Sequence, residues 1–406
     1  MRSPSWEEVG AGSASGGGIS YSNGEAKTPS LAIAPDGTLY TAWADSNSGN
    51  FEIYVLAWNG VTWDEVGIGS ASGGGISQSA GESYGPSLVI ALDGTIYVAW
   101  SEWIDNGDDS QVYIRAWHGN SWDEVGDGSA TGDGISQTDF SYGPSLAIAP
   151  DGRLYVAWGT DNYWNLTAHI YVRAWDGSQW KDIGTDPASG GGITNSTHSW
   201  YPSLAIAPDG TPFVAWREFF DWSSDVYVRA WNGSNWVEAG EGSASGGGVS
   251  NDYWSSSAPA LAIALDGTLY VSWTKCDRGG GNCSIYIRRR DGNSWLEVGE
   301  GSASGVGINN GLGSPSFATL ILAPDGTPYV SWNDKTIENR GIYILAWNDT
   351  SWVEVGVDSA SSGGINHTSG FQGTPSLAIA PDGSLYLAWA DDSSGKWQIY
   401  VRCYAP

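Results

Sequence analysis

The chain has 406 residues, of which 41% are apolar, 13% aromatic and only 15% charged. Its formal net charge is −28, from 45 acidic against 17 basic residues, and that field opposes nucleic acid and anionic membrane, whose binding needs Lys and Arg. No apolar run reaches the roughly 18 residues of a membrane span, and no leader precedes the first repeated string, so a mature or excised module is expected.

The chain opens on SWEEVG (Ser5–Gly10), then GSASGGGIS (Gly12–Ser20), then PSLAIAPDG from Pro29. The Trp-acid-Val-Gly string returns at Trp63, Trp122, Trp180, Trp236, Trp295 and Trp352, a spacing of roughly 56–59 residues. A repeat of this period has to be settled before any motif is read. It overrides the prior of two or three domains that length suggests, because an array grows without one large core.

Each unit holds four short segments with period-two alternation, rich in Val, Ile, Tyr and Trp, which is strand chemistry. In the first unit they are A (Ser30–Ala34), B (Leu39–Trp43), C (Ile53–Trp58) and D (Thr62–Val66). Pro35-Asp36-Gly37-Thr38 predicts a tight A–B turn and Asn59-Gly60 a C–D hairpin. The four segments then form an antiparallel meander with two apolar faces, and such sheets set around an axis make a β-propeller. Segment A opens on Pro in six of seven units, which suits an edge strand; segment D carries acids, which protect the other edge. A is therefore expected innermost and D outermost.

The first strand, Ser5–Val9, is a lone D, and the last unit has A, B and C (Ser376–Tyr404) without D. The N-terminal strand is expected to complete the last blade. The expectation is an all-β, seven-bladed propeller in one domain over 1–406, with blades at about 29–67, 86–126, 144–184, 202–240, 259–299, 318–356, and 375–404 plus 5–9. Nineteen of the 25 tryptophans occupy repeated strand positions and read as core.

GSASGGGIS joins D to the next A. It precedes a strand and has no Lys, so it fits neither a phosphate loop nor a nucleophile elbow. It reads as a connector pinned by the Ile or Val that follows.

The B–C and D–A connections carry the variation, and binding residues concentrate on variable loops over a rigid scaffold. The spare aromatic residues map there: Trp103, Trp164, Trp200, Trp222, Trp254 and Trp397, with Tyr84, Tyr142 and Tyr201. An acid recurs just past the B-strand Trp, at Asp45, Glu102, Asp161, Glu218, Asp334 and Asp391. The ligand-binding set is Trp103, Trp164, Trp200, Tyr201, Trp222, Trp254, Tyr84 and Tyr142, with Glu102, Glu218 and Asp221. No catalytic residue is assigned. No cofactor is expected, although oxygen-rich acids leave Ca²⁺ an option. A hydroxyl one residue into A (Ser30, Ser87, Ser145, Ser203, Thr319, Ser376) is expected to ring a channel mouth and order water.

Cys276 and Cys283 bracket one B–C loop and suit a disulfide, hence an oxidising compartment. Cys403 reads as buried and free. The four histidines occupy unrelated positions and imply no metal cluster.

With these near-uniform blades the chain resembles bacterial seven-bladed propellers. Its aromatic connections resemble those of propeller lectins of the tachylectin and tectonin kind. It is also similar in general design to the BNR or sialidase superfamily, but it lacks the Asp-box S-x-D-x-G-x-x-W. The sialidase arginine triad has no clear counterpart, Arg217, Arg278 and Arg340 being only scattered candidates. The acidic charge and the cysteine pair suit an extracellular or cell-surface module, expected to be a monomer. Carbohydrate binding ranks first, a protein-interaction scaffold second, and a glycoside hydrolase or lyase, with Glu102 and Glu218 as the candidate carboxylate pair, third. The expected partner is a glycan or a surface protein.

Overall fold

The computed structural model describes residues 5–405 apart from 105–108, 139, 162–166, 185–191, 195–197, 221–222, 252–254, 278–280, 312, 337–339 and 362. Every regular element among the described residues is a strand, and none of them forms a helix long and apolar enough to cross a membrane. The chain divides into two compact units. The first is Met1–Leu146, Arg340–Tyr343 and Gly356–Pro406; the second is Ala147–Asn339 and Ile344–Val355.

In the first repeat, Ala26–Ile33, Leu39–Asp45, Glu52–Trp58 and Trp63–Glu65 pair in that order as an antiparallel meander. Repeats 2, 3 and 6 have the same order. The meanders of repeats 4 and 5 are joined into one sheet by a single parallel pair, Ser224 opposite Ser255. In the last sheet, Ser376–Ile379, Leu385–Asp391 and Gln398–Tyr404 are followed by Glu7–Glu8, with Glu7 opposite Cys403 and Glu8 opposite Arg402. The N-terminal strand thus completes the last blade, and A and D are the first and last strands of each meander.

Strand A is longer than the sequence pattern suggests. Its outer part, as in Ala26–Lys27, pairs with the end of B, and the register then shifts before Ser30. In the first five repeats the residue ahead of the strand-A Pro takes a left-handed conformation: Thr28 (φ 52), Gly85 (φ 59), Gly143 (φ 61), Tyr201 (φ 56) and Ala258 (φ 49). A β-bulge absorbs the extra residue and tolerates a Pro that has no N–H to give.

Indoles bind the sheets together. The B-strand Trp stacks on the C-strand Tyr (Trp43 on Tyr54 at 6.0 Å, Trp216 on Tyr227 at 5.8 Å). The Tyr hydroxyl then donates to the first glycine carbonyl of the next connector, as from Tyr54 to Gly73 and from Tyr227 to Gly246. The D-strand indole donates to the preceding blade: Trp63 Nε1 to the Val9 carbonyl at 2.9 Å, and Trp122 Nε1 to that of Val66 at 2.8 Å.

The glycine-rich connector is architectural. Ile76 N–H bonds the Ile53 carbonyl at 2.8 Å, and Ser77 Oγ accepts from Ile53 N–H at 2.8 Å. A Cβ on Gly75 would stand 2.1 Å from the Ile53 oxygen. Only glycine lets the chain lie this close to strand C. The strand-A hydroxyls are also structural. Ser30 Oγ accepts from Leu88 N–H at 3.1 Å and Ser376 Oγ from Leu31 N–H at 2.9 Å, so they join neighbouring blades. This accounts for the recurring hydroxyl better than the ring of ordered water expected from sequence.

Cys276 and Cys283 are bonded across the B–C ladder of repeat 5, and Cys403 is free and half-buried. Thiol titration of the unfolded chain should therefore find one thiol before reduction and three after it.

Carboxylates act in two opposite senses. At the A–B turns, Asp36, Asp93, Asp209, Asp266, Asp325 and Asp382 sit below the usual carboxylate range, first because each accepts the backbone N–H two residues on. Their folded pKa lies below the unfolded value of about 4, so the stability they add is lost as pH falls through the folded value. Asp45, Glu52 and Glu102 are instead pushed up, chiefly by burial. They oppose folding at neutral pH, and that opposition fades as pH falls through their folded values. The melting temperature should therefore rise from pH 7 into the mildly acidic range and drop below about pH 4. Thermal melts across pH check this, and a steady rise toward alkaline pH would contradict it.

Candidate functional site

The overhang of A and B beyond the bulge brings side chains together. In repeat 4, Ser199–Ile206 pairs with Pro212–Phe220, with Trp200 opposite Arg217 and Ser199 opposite Glu218. Alternation along a strand sends Trp216, Glu218 and Phe220 to one face and Arg217 and Phe219 to the other. Trp200 meets Phe219 edge-on at 6.3 Å and His198 at 6.0 Å. The Arg217 guanidinium lies 5.7 Å from the centre of the Phe219 ring. Phe219 N–H bonds the His198 carbonyl at 2.9 Å, which fixes the two strands against each other. Asp161 joins through the Trp200 indole. Burial raises its carboxyl, while that hydrogen bond and the charge of His198 pull it back. Tyr201 is 47% exposed and Phe220 42%. Aromatic faces, a guanidinium donor and a carboxylate acceptor converge here within one blade and its neighbour. Such a set covers the apolar face of a sugar ring and pairs with its hydroxyls.

Placement of the predicted residues follows from the bulge. Tyr84, Tyr142, Trp200 and Tyr201 lie on strand A, and Glu102, Trp103 and Glu218 on strand B, rather than on loops. Trp200 joins Phe219 and His198, while Tyr201 follows it on the strand and is exposed. Tyr84 belongs to another cluster, in the first unit. Trp103 stands opposite Glu82, and Tyr142 is half-buried at the start of its strand. Trp164, Trp222, Trp254 and Asp221 lie outside the described residues.

Of the recurring acids, Asp45, Glu102, Glu218, Asp334 and Asp391 are buried, and Asp161 is partly exposed. Trp216 Nε1 donates to Glu218 at 2.8 Å, Trp43 Nε1 to Asp45 at 3.0 Å and Trp100 Nε1 to Glu102 at 3.4 Å. Asp45 also accepts from Ser22 and from Asn47 N–H. Asp391 accepts instead from Thr368 and Gln372. A carboxylate held in this way anchors the strand end and the neighbouring connector. Among the described residues no group of three or more His, Cys, Asp or Glu is placed to hold a metal ion.

Sequence reasoning did not join Phe219 to His198 or to Arg217 as a donor, and did not single out Lys27 or Phe51. At the position of Phe51 a signal was present, because most other repeats carry Ser, Ala, Cys or Arg there.

No protein-family model matches the chain, and no curated protein matches it. Solved structures do. Polysaccharide lyase Uly1 superposes with a TM-score of 0.55 at 10% identity, covering 100% of this chain and 98% of that one. A protein of unknown function from Dyadobacter fermentans gives 0.52 at 13%, covering 80% and 94%. At such identities the likeness shows a fold, and with the four-stranded antiparallel blades it makes this chain a β-propeller protein.

Proposed function

We propose that the chain binds carbohydrate through the side of its blades where strands A begin and strands B end. The observation that carries this reading is the group of Trp200, Phe219 and His198 beside Arg217 and Asp161, with the exposed Tyr201 next to Trp200 in the chain. Half-buried rings with paired donors and acceptors are costly to expose without a ligand to cover them. That Uly1 is a polysaccharide lyase is in keeping with a propeller accommodating a polysaccharide. The proposal includes one extracellular domain built from all the repeats. Affinity electrophoresis against a panel of soluble polysaccharides tests it: retardation by at least one is expected, and none at all rejects it.

The same likeness to a lyase favours one second reading, a carbohydrate-active enzyme. It predicts release of shortened or unsaturated products from a retarding polysaccharide. The indole bonds on Glu102 and Glu218 speak for anchoring rather than for acid-base work at these two positions. Unchanged polymer length after prolonged incubation would leave binding as the function.

A further inference from the structure

A second constellation lies wholly in the first unit. The Lys27 ammonium sits 5.5 Å from the centre of the Phe51 ring and 5.7 Å from that of Trp397, and it pairs with Glu25. Phe51 in turn packs on Tyr84 at 4.7 Å. The row Trp397, Lys27, Phe51, Tyr84 is built by the backbone. The start of each strand A bonds the start of the preceding strand C, through Ala26 N–H to the Trp397 carbonyl at 2.9 Å and Ser83 N–H to that of Phe51 at 2.7 Å. Tyr84 donates its hydroxyl to Glu82, which also accepts Phe51 N–H at 2.9 Å.

The fold does not require these residues. At the position of Phe51 and Trp397 other repeats carry Ser110, Ala168, Ser224, Cys283 and Arg340. Three large rings and a cation in succession are therefore an addition to a scaffold that folds with serine. The Lys27 side chain is 36% exposed and that of Glu25 48%. A lysine held between rings keeps donors free of its own carboxylate partner, and Glu25 keeps acceptors. Together they form a charge-neutral donor and acceptor pair beside an aromatic face.

We propose that Trp397, Lys27, Phe51 and Tyr84 form a subsite for an uncharged sugar, with Lys27 and Glu25 reading two neighbouring hydroxyls. The inference rests on the carbohydrate-binding reading and adds a ligand class. The net charge of −28 disfavours an acidic polymer, and the Lys27 charge is already matched by Glu25.

Affinity electrophoresis and calorimetry of the full chain with xylan, galactomannan, arabinan and an α-glucan, against polygalacturonate and alginate, test it. Phe51→Ser installs what Ser110 and Ser224 already provide, and Lys27→Met keeps the aliphatic stem. Each should weaken binding of a neutral polymer by about tenfold without moving the melting temperature. Binding of the parent to neutral polymers that neither change weakens overturns the subsite; if Trp200→Ala still abolishes it, the carbohydrate reading stands. Binding to the acidic polymers alone overturns the ligand class. A parent that binds no polysaccharide overturns both.

Discussion

Trp200→Ala is expected to weaken binding of any retarding polysaccharide by about thirtyfold, the about 2 kcal/mol typical of a central tryptophan in an interface. Trp200 is the hinge of its cluster, edge-on to both His198 and Phe219, with its indole bonded to Asp161. Its loss removes the largest ring and frees the carboxylate together. Trp200→Tyr is the control, because Tyr84 and Tyr142 occupy the same repeat position. The tyrosine variant should keep most of the affinity, and both variants should melt close to the parent. Calorimetric titration measures the split. Equal loss in both variants would show that the indole N–H, not the ring, matters.

Trp216→Ala should act on the fold instead, costing about 3–5 kcal/mol for the emptied volume. Trp216 is 1% exposed and stacks on Tyr227. A further about 1–3 kcal/mol follows because Glu218, 6% exposed, loses the indole donor. Trp216→Phe narrows the terms: it loses the N–H but keeps a phenyl ring and so most of the buried volume. Chemical unfolding of the three proteins gives the comparison. A phenylalanine variant as unstable as the alanine one would show that the bond to Glu218 dominates. A variant as stable as the parent would show that the carboxylate finds another donor.

The architecture was legible because it is written several times. Period-two alternation, the Asp-Gly turns and the D-less last repeat fixed the meander, the edges and the closing strand. Three features were not legible. Left-handed Thr28 and Tyr201 have no sequence signature, since a non-glycine residue with positive φ is held there by its surroundings. The bulge they make moved Tyr84, Tyr142 and Trp200 from expected connectors onto strands. The acids past the B-strand Trp looked like a rim, but an i to i+2 step on a strand returns the carboxylate to the face of its own indole. The row at Lys27 draws on four separate stretches of chain, so only pairing across blades could assemble it.

Arg402 donates to the Trp6 carbonyl across 396 positions of sequence, beside the pairing of Glu7 with Cys403. A ribosome therefore releases one half of this seam long before it makes the other. Until then the last sheet lacks an edge and the first strand lacks a partner, each exposed to association with the wrong chain. Contacts so distant in sequence are slow to form. Closing this seam is the longest-range pairing of the fold, and it is expected to lag behind pairing within a blade.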